Sequence, residues 1–388
     1  MEKLIIKNGL VFDPLNKIEG EIKDILIEKG KIVEKFSNEK DVKEIDASEK
    51  IVIPSALDIH THIASQQVNW IRLLGIKNKK FQEIWKRLTL ENIAKDYISN
   101  GYTFILEANV FPSLTKQTIF NFKQLPVIDK AMLLNVSNLW ALELEYQRSK
   151  IPEIAVFLSN LLLITKGFGF KVYNPFESED WDFKSLRKDV SIKGRLYNFS
   201  ALDVYENLTK VNESLGLPHS IHAHIEGYEQ LKAKNNLFMI LNKIKSLNLK
   251  PNSKINSKIK RSQTFHLAHA SAYNMDGNNM ELINILNKSN NIDIDLGFLG
   301  LNKEIYPLIT SDRRLINSLL NTTTDYDSQK LIRSAVELEG DSFATFRSFD
   351  KKAKSDCILW ANAIELALEV KNKWQLQFSV NYPNYANI

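Results

Sequence analysis

Eight strand-like segments alternate with helix-length segments along this 388-residue chain. They cover residues 51–62, 103–110, 131–139, 169–174, 218–224, 264–269, 292–297 and 375–381. Helical patterns lie between most of them, among them residues 81–100, 201–216, 228–248 and 356–371. Parallel strands need long crossovers, and these are nearly always right-handed helices that pack outside the sheet. Eight such units predict an α/β fold, a (β/α)8 TIM barrel over residues 51–388, with reactive groups at the C-terminal ends of the strands. Residues 1–50 read as short strands separated by turns such as Glu28-Lys29-Gly30, which predicts a small N-terminal β-domain.

Composition narrows the function. Hydrophobic residues make up 44% of the chain and charged residues 25%, as in an ordinary globular protein. Basic residues exceed acidic ones by 51 to 46, a net +5, too little to predict nucleic acid or an anionic membrane as partner. The single cysteine, Cys357, excludes an internal disulfide and a cysteine-rich zinc site, and it suits a reducing compartment. The most apolar run, residues 154–170, is broken by Ser159, Asn160 and Lys166 and is too short for a membrane span. The opening residues lack a signal-peptide layout, so a cytoplasmic protein is expected.

All seven histidines fall in three of the eight strand segments. His60 and His62 end the first, His219, His222 and His224 lie in the fifth, and His266 and His269 in the sixth. Strand residues two apart share a face, so His60 and His62 project together into the barrel mouth. His222 and His224 share a face, with His219 on the other. His266 and His269 take opposite faces, so one of the two is expected as a direct ligand. Neutral imidazole is a standard ligand for zinc and similar cations. A single buried histidine is usually only a packed core residue; the clustering is what predicts a metal site.

These residues resemble a known family. Ile53-Pro54-Ser55-Ala56-Leu57-Asp58-Ile59-His60-Thr61-His62 looks like the first-strand metal motif of the amidohydrolase superfamily. Asn8-Gly9-Leu10-Val11-Phe12-Asp13-Pro14, the stretch from Thr165 through Lys171-Val172-Tyr173-Asn174-Pro175, Leu215 to His224, and Phe265-His266-Leu267-Ala268-His269 resemble the A-type subunit of formylmethanofuran dehydrogenase and of the formyltransferase/hydrolase complex. The resemblance implies a metal-dependent hydrolase with two zinc ions or similar divalent metals. It makes Lys171 a carbamate-bearing bridge between them and His60, His62, His222 and His269 the ligands. His224, His266, His219 and Asn174 become outer or substrate-facing groups. It further implies hydrolysis of the N-formyl amide of a methanofuran-type one-carbon carrier to formate, with other subunits of a complex as partners.

Two departures from the family pattern bear on activity. The family carries an aspartate on the eighth strand that takes the proton from water; here the position is Asn381, and an amide is no general base. Asp325, Asp327, Glu337, Glu339 and Asp341 offer no obvious replacement. The sequence also stops shortly after the eighth strand, which predicts that only the N-terminal half of the small β-domain is present. Two alternatives to the formyl-amide hydrolase follow: an impaired or structural homologue serving within a complex, and another cyclic-amide amidohydrolase of dihydroorotase or hydantoinase type. A basic stretch, Lys243, Lys245, Lys250, Lys254, Lys258, Lys260 and Arg261, is expected as an exposed loop at the stem end of the barrel, where it would meet a partner protein.

Overall fold

The computed structural model describes residues 3–65, 68–69, 82, 86, 88–176, 179, 188–252, 261–297, 306–310, 312, 315, 330–332, 342–379 and 381–383. The chain divides into two compact units, Met1–Ala56 and Leu57–Ile388. In the first, β1 (Lys3–Asp13) pairs antiparallel with β2 (Ile18–Glu28) and parallel with β4 (Val42–Asp46) and β5 (Ile51–Val52); β3 (Lys31–Val33) adds to β2. Gly9 of β1 has no room for a side chain, since a Cβ there would sit 2.5 Å from a Val52 methyl.

The second unit is a nearly closed barrel of eight parallel strands. They are β6 (Ala56–Thr61), β7 (Tyr102–Val110), β8 (Asp129–Asn135), β9 (Gly169–Tyr173), β10 (Ile221–His224), β11 (Phe265–Leu267), β12 (Ile292–Asp295) and a last short strand, Leu376–Gln377. Chain order is spatial order, as successive βαβ units require. Beyond the last strand the chain returns to the first: the His62 amide donates to the Tyr382 carbonyl at 2.7 Å, and the Ser379 hydroxyl to the His60 carbonyl at 3.3 Å. One expected segment is divided. Residues 51–62 form two strands because Ile51–Val52 pairs with β1, and Pro54 interrupts the run before Ala56.

Helices fill the crossovers: α1 (Leu90–Ser99), α2 (Thr115–Gln124), α3 (Glu143–Gln147), α4 (Ile151–Thr165), α5 (Ala201–Leu215), α6 (Ala233–Ser246), α7 (Met280–Lys288) and α8 (Lys354–Glu369). Local chemistry fixes their ends. Ser200 and Asp203 form a reciprocal capping box at the start of α5, and Gly216 closes it with φ 66°. Alternation on the strands then sorts the two faces. Phe170, Val172, Ile221, Ala223, Phe265, Leu267, Ile292 and Ile294 join helix residues such as Tyr205, Leu208, Leu237, Ile240, Leu282 and Leu366 in one large buried cluster. The residues between them point the other way. A separate three-stranded antiparallel sheet comprises β13 (Tyr306–Thr310), β14 (Lys330–Ile332) and β15 (Ser342–Arg347), with β15 central; the last barrel strand is therefore β16.

The basic stretch is only partly a free loop. Lys243 pairs with Glu206 at 2.7 Å. Arg261 is buried: it forms a 2.8 Å ion pair with Glu213 and donates to the carbonyls of Leu217 and Asn252. Lys245 and Lys250 are exposed, and Lys254, Lys258 and Lys260 lie outside the described residues. So do Asp325, Asp327, Glu337, Glu339 and Asp341. Among the described residues no helix is long and apolar enough to cross a membrane.

Candidate metal centre

The polar face of the strands carries a continuous row. Asn135, Lys171, His222, His266 and Asp293 are paired in register across β8, β9, β10, β11 and β12. Register partners in a parallel sheet share a face, so lysine, two imidazoles and a carboxylate are held side by side. All are buried. Phe170 and Val172, flanking Lys171, face the helix-covered core, which is why a lysine between them must point to the polar side.

Asp295, two residues beyond Asp293, is the hub of the cluster. Its carboxylate lies 3.3 Å from His60 Nδ1, 3.3 Å from His269 Nδ1 and 3.7 Å from His266 Nε2, and it accepts the His269 backbone N–H at 3.0 Å. His222 Nε2 lies 2.9 Å from His60 Nδ1. His60, His222 and Asp295 each aim one donor atom at a common region, all within 4.8 Å of one another. The ligand–ligand edge of a tetrahedral shell with zinc–nitrogen bonds of about 2.0–2.1 Å is about 3.3 Å, which matches the His60–Asp295 separation. Three observations therefore fit a divalent cation: this donor set, a His60 Nε2 without a hydrogen-bond partner among the described residues, and a buried Lys171 Nζ also without one.

His62 takes a different acid. Its Nδ1 lies 3.3 Å from Glu107 Oε1 on β7, while Glu107 Oε2 accepts the amides of Ala64 and Ser65 at 2.7 and 3.1 Å. On the first strand, the Asp58 carboxylate accepts the Tyr97 hydroxyl at 2.7 Å and the His60 amide at 3.0 Å.

Burial dominates the titration of the cluster. It pulls the Lys171 amine down to about 7, partly opposed by Asp295. It holds the His60 and His222 imidazoles well below their usual value, helped by the nearby Lys171 charge. These two rings are therefore neutral, as ligation requires. His266 goes the other way: burial lowers it, but Asp293 and Asp295 outweigh burial and raise it to about 9. Burial also raises Asp58, to about 7. The Asp295 carboxyl resists its burial and stays well below the usual range because His269, His266 and His60 surround it.

The structure brings His60, His222 and His269 together with Asp295, places Lys171 beside His222 in the row, and sets His62 one step aside with Glu107. His224 lies against Tyr173, ring centroids 4.7 Å apart, and 5.6 Å from the His269 ring. The Asn174 amide donates to the His224 carbonyl at 3.4 Å. Two face assignments are corrected. Alternation places His219 opposite His222, yet its Nε2 lies 3.2 Å from His222 Nδ1. The strand begins only at Ile221, so alternation does not reach back to His219. Alternation also places His266 and His269 on opposite faces, yet both reach Asp295. The strand ends at Leu267, and His269 takes a left-handed backbone with φ 55° that turns its ring back. Asn381 is buried, also left-handed at φ 57°, and its Oδ1 has no hydrogen-bond partner among the described residues. Asp295 and Glu107 are functional groups that the sequence reading missed. The run Ile292-Asp293-Ile294-Asp295 puts two acids on one strand face between apolar residues, a signal that points into a barrel.

No family model matches the chain. Protein FwdA of Methanocaldococcus jannaschii is 29% identical over 98% of this chain and 68% of its own length. A dihydroorotase of Aquifex aeolicus is 27% identical over 50% of this chain and 41% of its own length. Among solved structures, the formyltransferase/hydrolase complex of Methylorubrum extorquens with methylofuran superposes with a TM-score of 0.83 at 20% identity, covering 99% of this chain and 69% of that one. The chain is a formylmethanofuran-related protein of the amidohydrolase superfamily. The fold is that superfamily's barrel with a small N-terminal β-domain.

Proposed function

We propose that this chain, like the A-type subunits it resembles, is a metal-dependent amidohydrolase that cleaves the N-formyl amide of a methanofuran-type one-carbon carrier to formate. The observation that carries the reading is the convergence of His60, His222, His269 and Asp295 beside a buried lysine. His60, His62, His222, His269 and Asp295 would hold two zinc ions or similar cations, and Lys171 would bridge them as a carbamate. Bound there, a divalent cation supplies a Lewis acid that polarises an amide carbonyl and acidifies water.

The chain's own groups do the rest. Burial keeps the Lys171 amine near neutrality, the form that takes up carbon dioxide. His60 and His222 stay neutral and so present lone pairs. Asp295 stays anionic and fixes the His60 and His269 rings. Glu107 orients His62 through its ring nitrogen. Asn381 cannot accept a proton at neutral pH, so turnover is expected to be slow.

That amide favours a second reading, a member of a complex with the same fold and a metal but without turnover. One assay separates the two: formate release from the formylated carrier by the metal-loaded chain, alone and with the other proteins of the complex, with and without chelator. Chelator-sensitive formate supports the hydrolase. Absence of formate under every condition from a chain that carries metal supports the non-catalytic reading.

A further inference from the structure

His269 meets Asp295 only because its backbone is left-handed, with φ 55°. That region is sparsely populated by residues with side chains, so the surrounding structure must impose it. Gly297 does so by contact: a Cβ there would lie 2.8 Å from His269 Cα and 3.2 Å from its Nδ1. The turn that follows His269 does so by hydrogen bonds. The Ala272 amide donates to the His269 carbonyl at 2.9 Å, and the Ser271 hydroxyl to the Gly297 carbonyl at 3.3 Å.

One side chain fastens this turn to a distant helix. Asn362 of α8 donates its Nδ2 to the carbonyls of Ser271 at 2.8 Å and Asn274 at 3.0 Å. Its Oδ1 accepts Asn279 Nδ2 at 2.9 Å. Asn362 is 1% exposed, so both amide donors and its acceptor are used in a dry site. Removing the donors would leave two carbonyls unsatisfied in that site, and the turn would relax to recover partners.

We propose that Asn362 is a positioning residue for His269: it fixes the Ser271 and Asn274 carbonyls, and so holds the turn that keeps the His269 ring on Asp295. The inference deepens the metal-centre reading and rests on it for one of its two readouts. The test titrates Co²⁺ into the full chain, following its visible absorption, for wild type, Asn362→Asp and Asn287→Ala. Asn287 is the structural control: it donates to the Glu369 carbonyl at the end of α8 and accepts the Lys371 amide, away from the turn. Asn362→Asp should weaken Co²⁺ binding by about 10–100-fold, the usual effect of losing a group that orients a ligand, and shift the absorption band. Asn287→Ala should do neither at the same folded fraction. Wild-type binding and an unchanged band in Asn362→Asp, or an equal loss in Asn287→Ala, would overturn the proposal. If Asn362→Asp does not fold, Asn362→Ser, which keeps one small donor, should show an intermediate loss. If wild type takes up no Co²⁺, the metal reading fails by itself. The positioning claim is then decided by the His269 ring ¹⁵N signals of the metal-free chain: they should move in Asn362→Asp and stay in Asn287→Ala, and unmoved signals refute it.

Discussion

The ends of the seventh and eighth barrel strands present opposite chemistry. At the end of β12, Asp295 is a buried anion in reach of three imidazoles and a backbone amide. Just past β16, Asn381 is a buried amide whose oxygen has no hydrogen-bond partner among the described residues. Both stand near the first strand, Asp295 through the His60 ring and the 379–382 segment through backbone bonds to His60 and His62. The difference teaches that the negative charge of this mouth lies on strand seven. Charge that holds a cation and a base that takes a proton are separate requirements, and only the first is met by a carboxylate here.

The sharpest way to break this comparison is to put an acid at the amide. Asn381→Asp keeps a residue type that tolerates φ 57° and should raise formate release by ~10²–10⁴, the usual worth of a general base. Equal rates for wild type and variant would show that another group already takes the proton. The reverse change, Asp295→Asn, should lower affinity for the divalent cation by at least roughly 10–100-fold, measured by competition with a chelator. It should also drop the pKa of His266, whose rise to about 9 depends on Asp293 and Asp295, a change visible in the ring signals of the metal-free protein.

A pH series tests the lysine next to this charge. Lys171 has its pKa lowered to about 7 by burial. Only the free amine takes up carbon dioxide, so the protonated fraction blocks uptake below that value. Bicarbonate-dependent metal loading should therefore fall roughly tenfold per unit as pH drops below about 7, and level off above it. Lys171→Met should abolish the bicarbonate dependence, read by metal analysis after gel filtration. The smallest effect belongs to Asn381→Ala. It should leave metal affinity unchanged and cost roughly 1–2 kcal/mol of stability, because alanine is strained at positive φ. A large loss of metal in this variant would make the amide a ligand and remove the contrast with Asp295.

Much of this was open to reading along the chain. The β/α alternation is a local pattern, and it predicted the parallel barrel because crossover length and handedness leave few other arrangements. Seven of the eight expected strands overlap a single barrel strand; the first is shared between the barrel and the N-terminal sheet. His60, His222 and Lys171 were legible because strand periodicity holds within strands. It failed for His219 and His269, which lie outside β10 and β11. Arg261 was legible as a charge but not as a buried ion pair, since its partner Glu213 sits on α5, far back in the sequence.

The sequence by itself determined the barrel, the clustering of histidines at strand ends and the amide at position 381, because each depends on residue type and short spacing. Only the tertiary structure decided that Asp295 is the common partner of His60, His266 and His269, that Glu107 belongs to His62, and that Gly297 and Asn362 keep His269 turned inward. Those contacts join strands one, two, six and seven with a distant helix. Their geometry is set by barrel register and by one left-handed residue, and neither is written in any stretch of neighbouring residues.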